Sequence, residues 1–142
     1  MISIPVLTVL LFAVWTMVLL VLTVGIYRWG SVFAGKAQIS DFRSDDVQGT
    51  DFYKRAMRAH ANCVENLPVF IAVVFAAYTL NIQSGTMDTM CIIILVTRVL
   101  QSLVHVSVVQ SNIISFIRFC FFFTQIICFF GIAYLVIAQI SK

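Results

Sequence analysis

The sequence predicts an all-α integral membrane protein, folded as one bundle of four transmembrane helices. Its 142 residues are 61% hydrophobic and only 11% charged, with a mean hydropathy of +1.03. A soluble domain carries about a quarter charged residues, so a polar surface cannot cover this chain. Four runs are apolar over roughly 20 residues, the length of a membrane-spanning helix. They are continuously apolar, which disfavours a β-barrel, whose strands alternate.

The first helix is predicted over residues 4–27, because residues 1–27 contain no charge. A cleavable signal peptide has a basic start and a short apolar core, so we expect this segment to be retained. Residues 28–50 mix glycines with acidic and basic residues and show little apolar periodicity, which predicts an irregular loop.

The remaining helices are predicted at about 51–80, 87–109 and 113–140, so that residues 1–142 form a single membrane domain. Thr50 or Asp51 provides an N-cap for the second helix, which then runs into the membrane without a break. Pro68 removes a backbone donor and is expected to bend that helix.

The orientation follows from the lysines and arginines. Residues 28–62 contain six of the nine basic residues. The positive-inside rule therefore predicts a multi-pass protein with its long first loop in the cytoplasm and both termini on the opposite side.

Four cysteines lie within or beside the apolar runs. None forms a CxxC pair and none has a histidine at ligand spacing. We therefore expect small side chains in helix interfaces, with no metal site.

Polar residues form one stripe on each of three helices. On the second helix, four of them fall within roughly 80° of arc. The third and fourth helices carry further polar side chains at helical spacing. Together these predict a polar pocket at the cytoplasmic end, in which Glu65 and Arg98 pair across two helices. The stripes comprise Arg55, Arg58, Asn62 and Glu65; Arg98, Gln101, Ser102 and His105; and Arg118 and Gln125.

A purely structural interpretation stays open for part of this set. One Glu–Arg pair can simply hold two helices together, and Arg28 and Arg55 individually resemble anchors that reach the membrane surface. The surplus of arginine over carboxylate nevertheless favours a small zwitterionic ligand with more than one carboxylate. Glu65 would hold its ammonium group, and an arginine near a bound thiol would lower the pKa of that thiol.

The string RAMRAHANCVENLPVF, residues 55–70, resembles the signature of the MAPEG family, the membrane-associated proteins in eicosanoid and glutathione metabolism. The family pattern, roughly R-A-H/Q-x-N-x-x-E-x-x-P, is matched at six positions of one helix. The ENLPVF segment is most similar to the microsomal glutathione transferase branch. The matched positions are Arg58, Ala59, His60, Asn62, Glu65 and Pro68.

The resemblance implies a homotrimer in the membrane lipid, with glutathione as co-substrate bound between neighbouring subunits near the cytoplasmic face. It implies an enzyme that conjugates glutathione to hydrophobic electrophiles or reduces lipid hydroperoxides, with no metal and no nucleic acid. Arg118 takes the catalytic position that stabilises the thiolate. The implied glutathione-binding residues are Arg28, Arg58, Asn62, Glu65, Arg98 and His105.

Several positions depart from the family pattern. Gln101 and His105 stand where the eicosanoid enzymes carry tyrosines or a histidine, and His105 is either a hydrogen-bond partner or interface filler. Phe119 and Phe122 replace a serine and a tyrosine, so prostaglandin isomerisation is not expected. The alternative is a non-catalytic membrane scaffold that binds glutathione or another thiol. A transporter or channel is disfavoured, because the polar stripe reaches only the cytoplasmic end.

Overall fold

The computed structural model describes residues 3–43 and 45–141, and within them every regular element is helical. All four long helices are apolar enough to cross a membrane, which confirms the predicted four-helix membrane bundle. One end of the bundle carries the loop at 34–50 and the turn at 108–111, and we call it the loop end. The helices are α1 (Ile4–Phe33), α2 (Asp51–Thr79), α3 (Gly85–Ser107) and α4 (Asn112–Ile140).

Helix α1 ends at Phe33 rather than near residue 27, so the loop is shorter than the sequence predicted. Pro5 stands in its first turn, where a missing backbone N–H has no consequence. A helix of 30 residues is about 45 Å long at 1.5 Å per residue, whereas the hydrocarbon core is about 30 Å thick. Helix α1 is therefore longer than the hydrocarbon layer, and its first charged residue, Arg28, lies in its last turns.

A π-helical segment, Leu20–Gly25, interrupts α1. In such a turn each N–H bonds to the carbonyl five residues back. Gly25 helps the turn to close, since a Cβ there would lie 3.2 Å from the carbonyl oxygen of Leu20. The hydroxyl of Thr23 donates to the carbonyl of Leu19 at 2.5 Å. Nothing in the apolar pattern of residues 1–27 predicted this segment.

Helix α2 begins where the sequence predicted, because the Thr50 side chain accepts a hydrogen bond from the backbone N–H of Tyr53 at 3.3 Å. It continues through Pro68 to Thr79. The loop reaches this start through Gly49, whose φ is +137°. A Cβ there would lie 2.9 Å from the Tyr27 hydroxyl, so only glycine fits without displacement.

The short turns follow ordinary capping chemistry. Asn81 adopts a left-handed conformation with φ of 53° after α2, and the N–H of Ile82 bonds back to the carbonyl of Ala77 at 3.0 Å. Ser111 caps α4 by accepting from the N–H of Ile114 at 3.3 Å. These turns make α3 antiparallel to α2 and α4 antiparallel to α3, so that α4 runs in the same direction as α2.

Aromatic rings join three of the helices at the centre of the bundle. The ring of Phe70 lies 5.7 Å from that of Phe12 and 6.0 Å from that of Phe129, centroid to centroid. All three are buried. The outward faces expose large apolar side chains such as Phe130 and Phe75, which is the pattern of helices solvated by lipid.

Candidate functional site

A polar cleft of about 500 Å³ opens at the loop end between α2, α3 and α4. This volume lies in the range of small-molecule binding sites. Its walls carry two arginines, one carboxylate and several amides, so the stripes predicted on three separate helices do meet. The cleft is lined by Asn62, Glu65, Asn66, Arg98, Gln101, Gln110, Ser115, Arg118, Phe119 and Phe122.

Arg98 provides the deepest charge of the cleft. Its side chain is only 1% exposed, and its guanidinium lies over the ring of Phe12 at 5.7 Å. Its Nε and one terminal nitrogen have no hydrogen-bond partner. A buried guanidinium normally has its donors paired, because an unpaired buried charge is costly. Arg98 therefore brings a buried guanidinium with unpaired nitrogens to the wall of the cleft.

The α2 wall presents Glu65 and Asn62. The expected ion pair between Glu65 and Arg98 does not form: in the described residues the one ion pair is Arg43–Asp45. Glu65 is exposed at the cleft, one residue before Asn66, whose amide donates to the carbonyl of Asn62 at 2.7 Å. Carboxylate and guanidinium thus stand apart in one cavity, each available to a ligand.

The α4 wall combines Arg118 with two aromatic rings. Arg118 is half-buried, and its Nε has no partner. Its backbone carbonyl accepts a hydrogen bond from the amide of Gln101 at 3.0 Å. Phe119 and Phe122 line the cleft beside it, so this wall offers a positive charge next to an apolar surface.

Arg28 does not reach this cleft within the chain. Its Nε donates to the Tyr53 hydroxyl at 2.8 Å, and its guanidinium lies 5.3 Å from the centre of the Phe42 ring. Tyr53 stacks on Tyr27 at 4.4 Å. Arg28 therefore belongs to an aromatic cluster between α1, α2 and the loop.

Arg58 and His105 also lie outside the cleft lining. Arg58 lines an adjoining cavity of about 350 Å³ with Asp45 and Lys54. His105 is buried between the helices, and its Nδ1 has no partner. Arg55 donates from Nε to the carbonyl of Val106 at 3.3 Å, at the end of α3.

Sequence reasoning missed three residues in the cleft lining, of which Gln110 lies in the turn before α4 and follows no helical spacing. Asn66 lies four residues after Asn62, so the spacing that defined the α2 stripe could have included it. Ser115 lies three residues before Arg118 on α4 and offers the single hydroxyl of the lining. Its signal was the same helical spacing, obscured by the apolar residues around it.

The described residues contain no group of three or more His, Cys, Asp or Glu side chains that could hold a metal ion. Their four cysteines are free, and the Sγ of Cys63 lies 3.5 Å from the Oγ of Ser102 inside the bundle. The chemistry of the cleft therefore depends on two guanidinium groups, one carboxylate and neutral amides. Such a set suits an anion that also carries an ammonium group.

The chain matches no curated protein and no solved structure at a significant level. The family model of MAPEG, in contrast, matches residues 5–138, which is nearly the whole chain. That span covers all four helices except for their outermost one or two residues, and it includes every residue of the cleft lining. The chain therefore belongs to the MAPEG family.

Proposed function

We propose that this protein is a glutathione-dependent membrane transferase that conjugates glutathione to hydrophobic electrophiles. Membership of the MAPEG family fits a glutathione-related membrane transferase or a role in eicosanoid metabolism. One observation carries the narrower proposal. The buried Arg98 keeps unpaired donors at a cleft that also holds Arg118 and Glu65. If Glu65 and Arg98 served only to hold two helices together, they would form an ion pair with each other.

Glutathione matches this charge pattern group by group. It carries two carboxylates, one ammonium and one thiol. Arg98 would take a carboxylate in a two-pronged hydrogen bond, and Glu65 would take the ammonium. Asn62 and Asn66 both donate and accept, and so suit the peptide groups between them.

Arg118 would act on the thiol. A guanidinium beside the sulfur stabilises the thiolate, which is the nucleophile. The thiolate attacks the electrophilic carbon, an S–C bond forms, and the leaving group departs with its electron pair. In hydroperoxide reduction the thiolate attacks the distal oxygen, the O–O bond breaks, and the alkoxide leaves and is protonated to an alcohol. A second glutathione then attacks the sulfur of the resulting sulfenic acid, which gives the disulfide and water. Phe119 and Phe122 would receive the apolar part of the substrate.

The homotrimer and the membrane orientation are parts of the same proposal. In a trimer, Arg28 would approach the cleft of a neighbouring subunit and Arg58 would close its outer edge, whereas His105 stays buried within its own bundle. The loop end would face the cytoplasm, where the six basic residues between 28 and 62 favour it. Lipid-soluble electrophiles would then enter laterally from the bilayer.

A second function is favoured by the α4 wall alone. The residues that line the cleft after Arg118 on this helix, Phe119 and Phe122, carry no hydroxyl to assist thiolate formation, and the single hydroxyl of the lining is that of Ser115, one turn before Arg118. A non-catalytic membrane scaffold that binds glutathione or another thiol would use the same arginines without turnover.

The test is the ultraviolet difference absorbance of the purified protein titrated with glutathione, with Arg118→Ala alongside. We expect a thiolate band in the wild type that is lost in Arg118→Ala, while that variant still binds glutathione. The matched control is Arg43→Ala, which removes an exposed arginine of the loop and should retain the band. If the wild type binds glutathione but shows no thiolate band, the proposal of a non-catalytic scaffold replaces that of a transferase. Absence of binding would refute both.

A further inference from the structure

The half of α4 before Gln125, which faces the cytoplasm in the orientation proposed above, is packed less tightly than the rest of the helix. The buried residues of α4 are Gln125, Cys128, Phe129, Ile132 and Val136, and none precedes Gln125. Apolar residues of the earlier stretch, such as Phe121 and Phe122, are only half-buried. Polar contacts with α3 therefore matter more around Arg118 than farther along α4.

Two buried carboxamides provide the connection. Gln125 is 0% exposed and Gln101 is 6% exposed. The amide of Gln125 donates to the Oε1 of Gln101 at 3.3 Å and to the backbone carbonyl of Phe121 at 3.1 Å. The amide of Gln101 in turn donates to the carbonyl of Arg118 at 3.0 Å.

Each hydrogen bond in this series has a fixed donor and a fixed acceptor, which determine how the two glutamine side chains are oriented. An amide side chain can be reversed end for end, and its neighbours decide which way it faces. Gln125 presents a donor to Gln101, so the side-chain oxygen of Gln101 faces Gln125. The side-chain nitrogen of Gln101 then faces an earlier part of the same helix, α4. That nitrogen then bonds to the one carbonyl belonging to Arg118. Without Gln125, Gln101 loses one of the two partners that orient it, and only the carbonyl of Arg118 remains.

The side chain of Arg118 has no such support. Its Nε is buried without a partner, and no hydrogen bond from its guanidinium to another described side chain is formed. The place of the guanidinium in the cleft thus depends on where its own backbone is held. A displacement of about 1 Å in a charged group is enough to weaken its effect on a reacting atom.

We propose that Gln125, which lines no cleft, is a positioning residue that sets the place of Arg118 through the side chain of Gln101. This inference rests on the proposed function for its consequence in catalysis, because Arg118 acts on the thiol. The positioning itself is a property of the protein without ligand. It can therefore be measured without glutathione.

The experiment is arginine-selective dicarbonyl labelling of the whole protein in lipid nanodiscs, followed by peptide mass spectrometry. The rate at Arg118 is divided by the rate at the exposed Arg43. In Gln125→Leu we expect this ratio to rise about threefold or more, because the segment opens more often. The matched control is Gln139→Leu, the same change at an exposed position of α4, and it should leave the ratio unchanged.

A double-mutant comparison separates positioning from general loosening. Gln101→Leu removes the same link and should raise the ratio alike, and the double variant should rise no further than either single one. An unchanged ratio in Gln125→Leu, or independent rises that multiply in the double variant, would overturn the proposal. The labelling decides this whether or not glutathione binds. A missing thiolate band in the wild type counts against the proposed function alone.

Discussion

Replacing Arg98 by methionine should change ligand affinity and stability in opposite directions. Methionine fills a similar volume without charge or donors. A charge-assisted hydrogen bond contributes about 1.5–3 kcal/mol, so its loss should raise the Kd for glutathione about 10- to 140-fold. This expectation follows from the unpaired donors of Arg98 at the cleft.

The ligand-free protein should become more stable in the same variant. A charged arginine inside a membrane span costs about 2.5–3.5 kcal/mol, and contact with an aromatic face returns about 0.5–1 kcal/mol of it. Because the buried guanidinium of Arg98 has Phe12 beneath it and unpaired nitrogens, its removal should stabilise the apo protein by about 2 kcal/mol.

Calorimetric titration with glutathione and thermal unfolding without it, both in detergent micelles, measure the two effects. Arg55→Met is the matched control. Its Nε holds the carbonyl of Val106, so this variant should lose stability while keeping its Kd within about threefold. If Arg98→Met instead lost apo stability and kept the wild-type Kd, Arg98 would be a structural residue and the reasoning would be refuted.

Three further outcomes follow from other contacts. Glu65→Gln should weaken glutathione binding about tenfold, yet leave unchanged the affinity for glutathione with an acetylated amine; equal losses for both ligands would contradict an ammonium contact. Gly49→Ala should lower the free energy of unfolding by about 1–3 kcal/mol, since its φ is +137° and a Cβ would lie 2.9 Å from both the Tyr27 hydroxyl and the Tyr53 ring. Gly30→Ala, where a Cβ would have open space around it, should not lower it. The Arg43 guanidinium holds the pKa of Asp45 below its ordinary value. This pair therefore favours the folded state at pH values above that ordinary pKa, and its effect is lost as the pH falls through the lowered value. Carboxyl NMR titration of Arg43→Ala should show the pKa of Asp45 rising, and an unchanged pKa would contradict the pairing.

The membrane bundle could be predicted closely because its determinants are local. Uncharged runs define the helices, and Thr50 marks the start of α2 by a hydrogen bond within its own first turn. Helical spacing likewise placed Asn62 and Glu65 on one face. The meeting of Arg98 and Arg118 in one cleft then followed from antiparallel helices joined by short turns.

The contacts that the sequence did not predict correctly are those between residues that are distant in sequence. Opposite charges on adjacent helices suggested that Glu65 and Arg98 would pair, but helix packing leaves them on separate walls. Arg28 stays predicted to contact the ligand, and its contacts within the chain, with Tyr53 and Phe42, were not foreseen. The aromatic cluster depends on the course of the loop, which no periodicity describes. Which of these positions contact glutathione stays a prediction.

The π-helical turn in α1 also affects how relatives of this chain should be aligned. The buried residues of α1 follow steps of three or four along Pro5, Thr8, Phe12, Thr16 and Leu19, and the next buried residue is Val24, five positions on. That step inserts one residue into the helical repeat. A relative with a one-residue gap between 20 and 25 and an ordinary α-helical turn would keep the same faces, because its residue aligned with Val24 would follow that aligned with Leu19 by four positions. A relative without the gap but with an ordinary α-helical turn would have everything after that turn rotated by about 100°. In that relative the residue aligned with Arg28 would face a different neighbour, although the two sequences aligned without a gap.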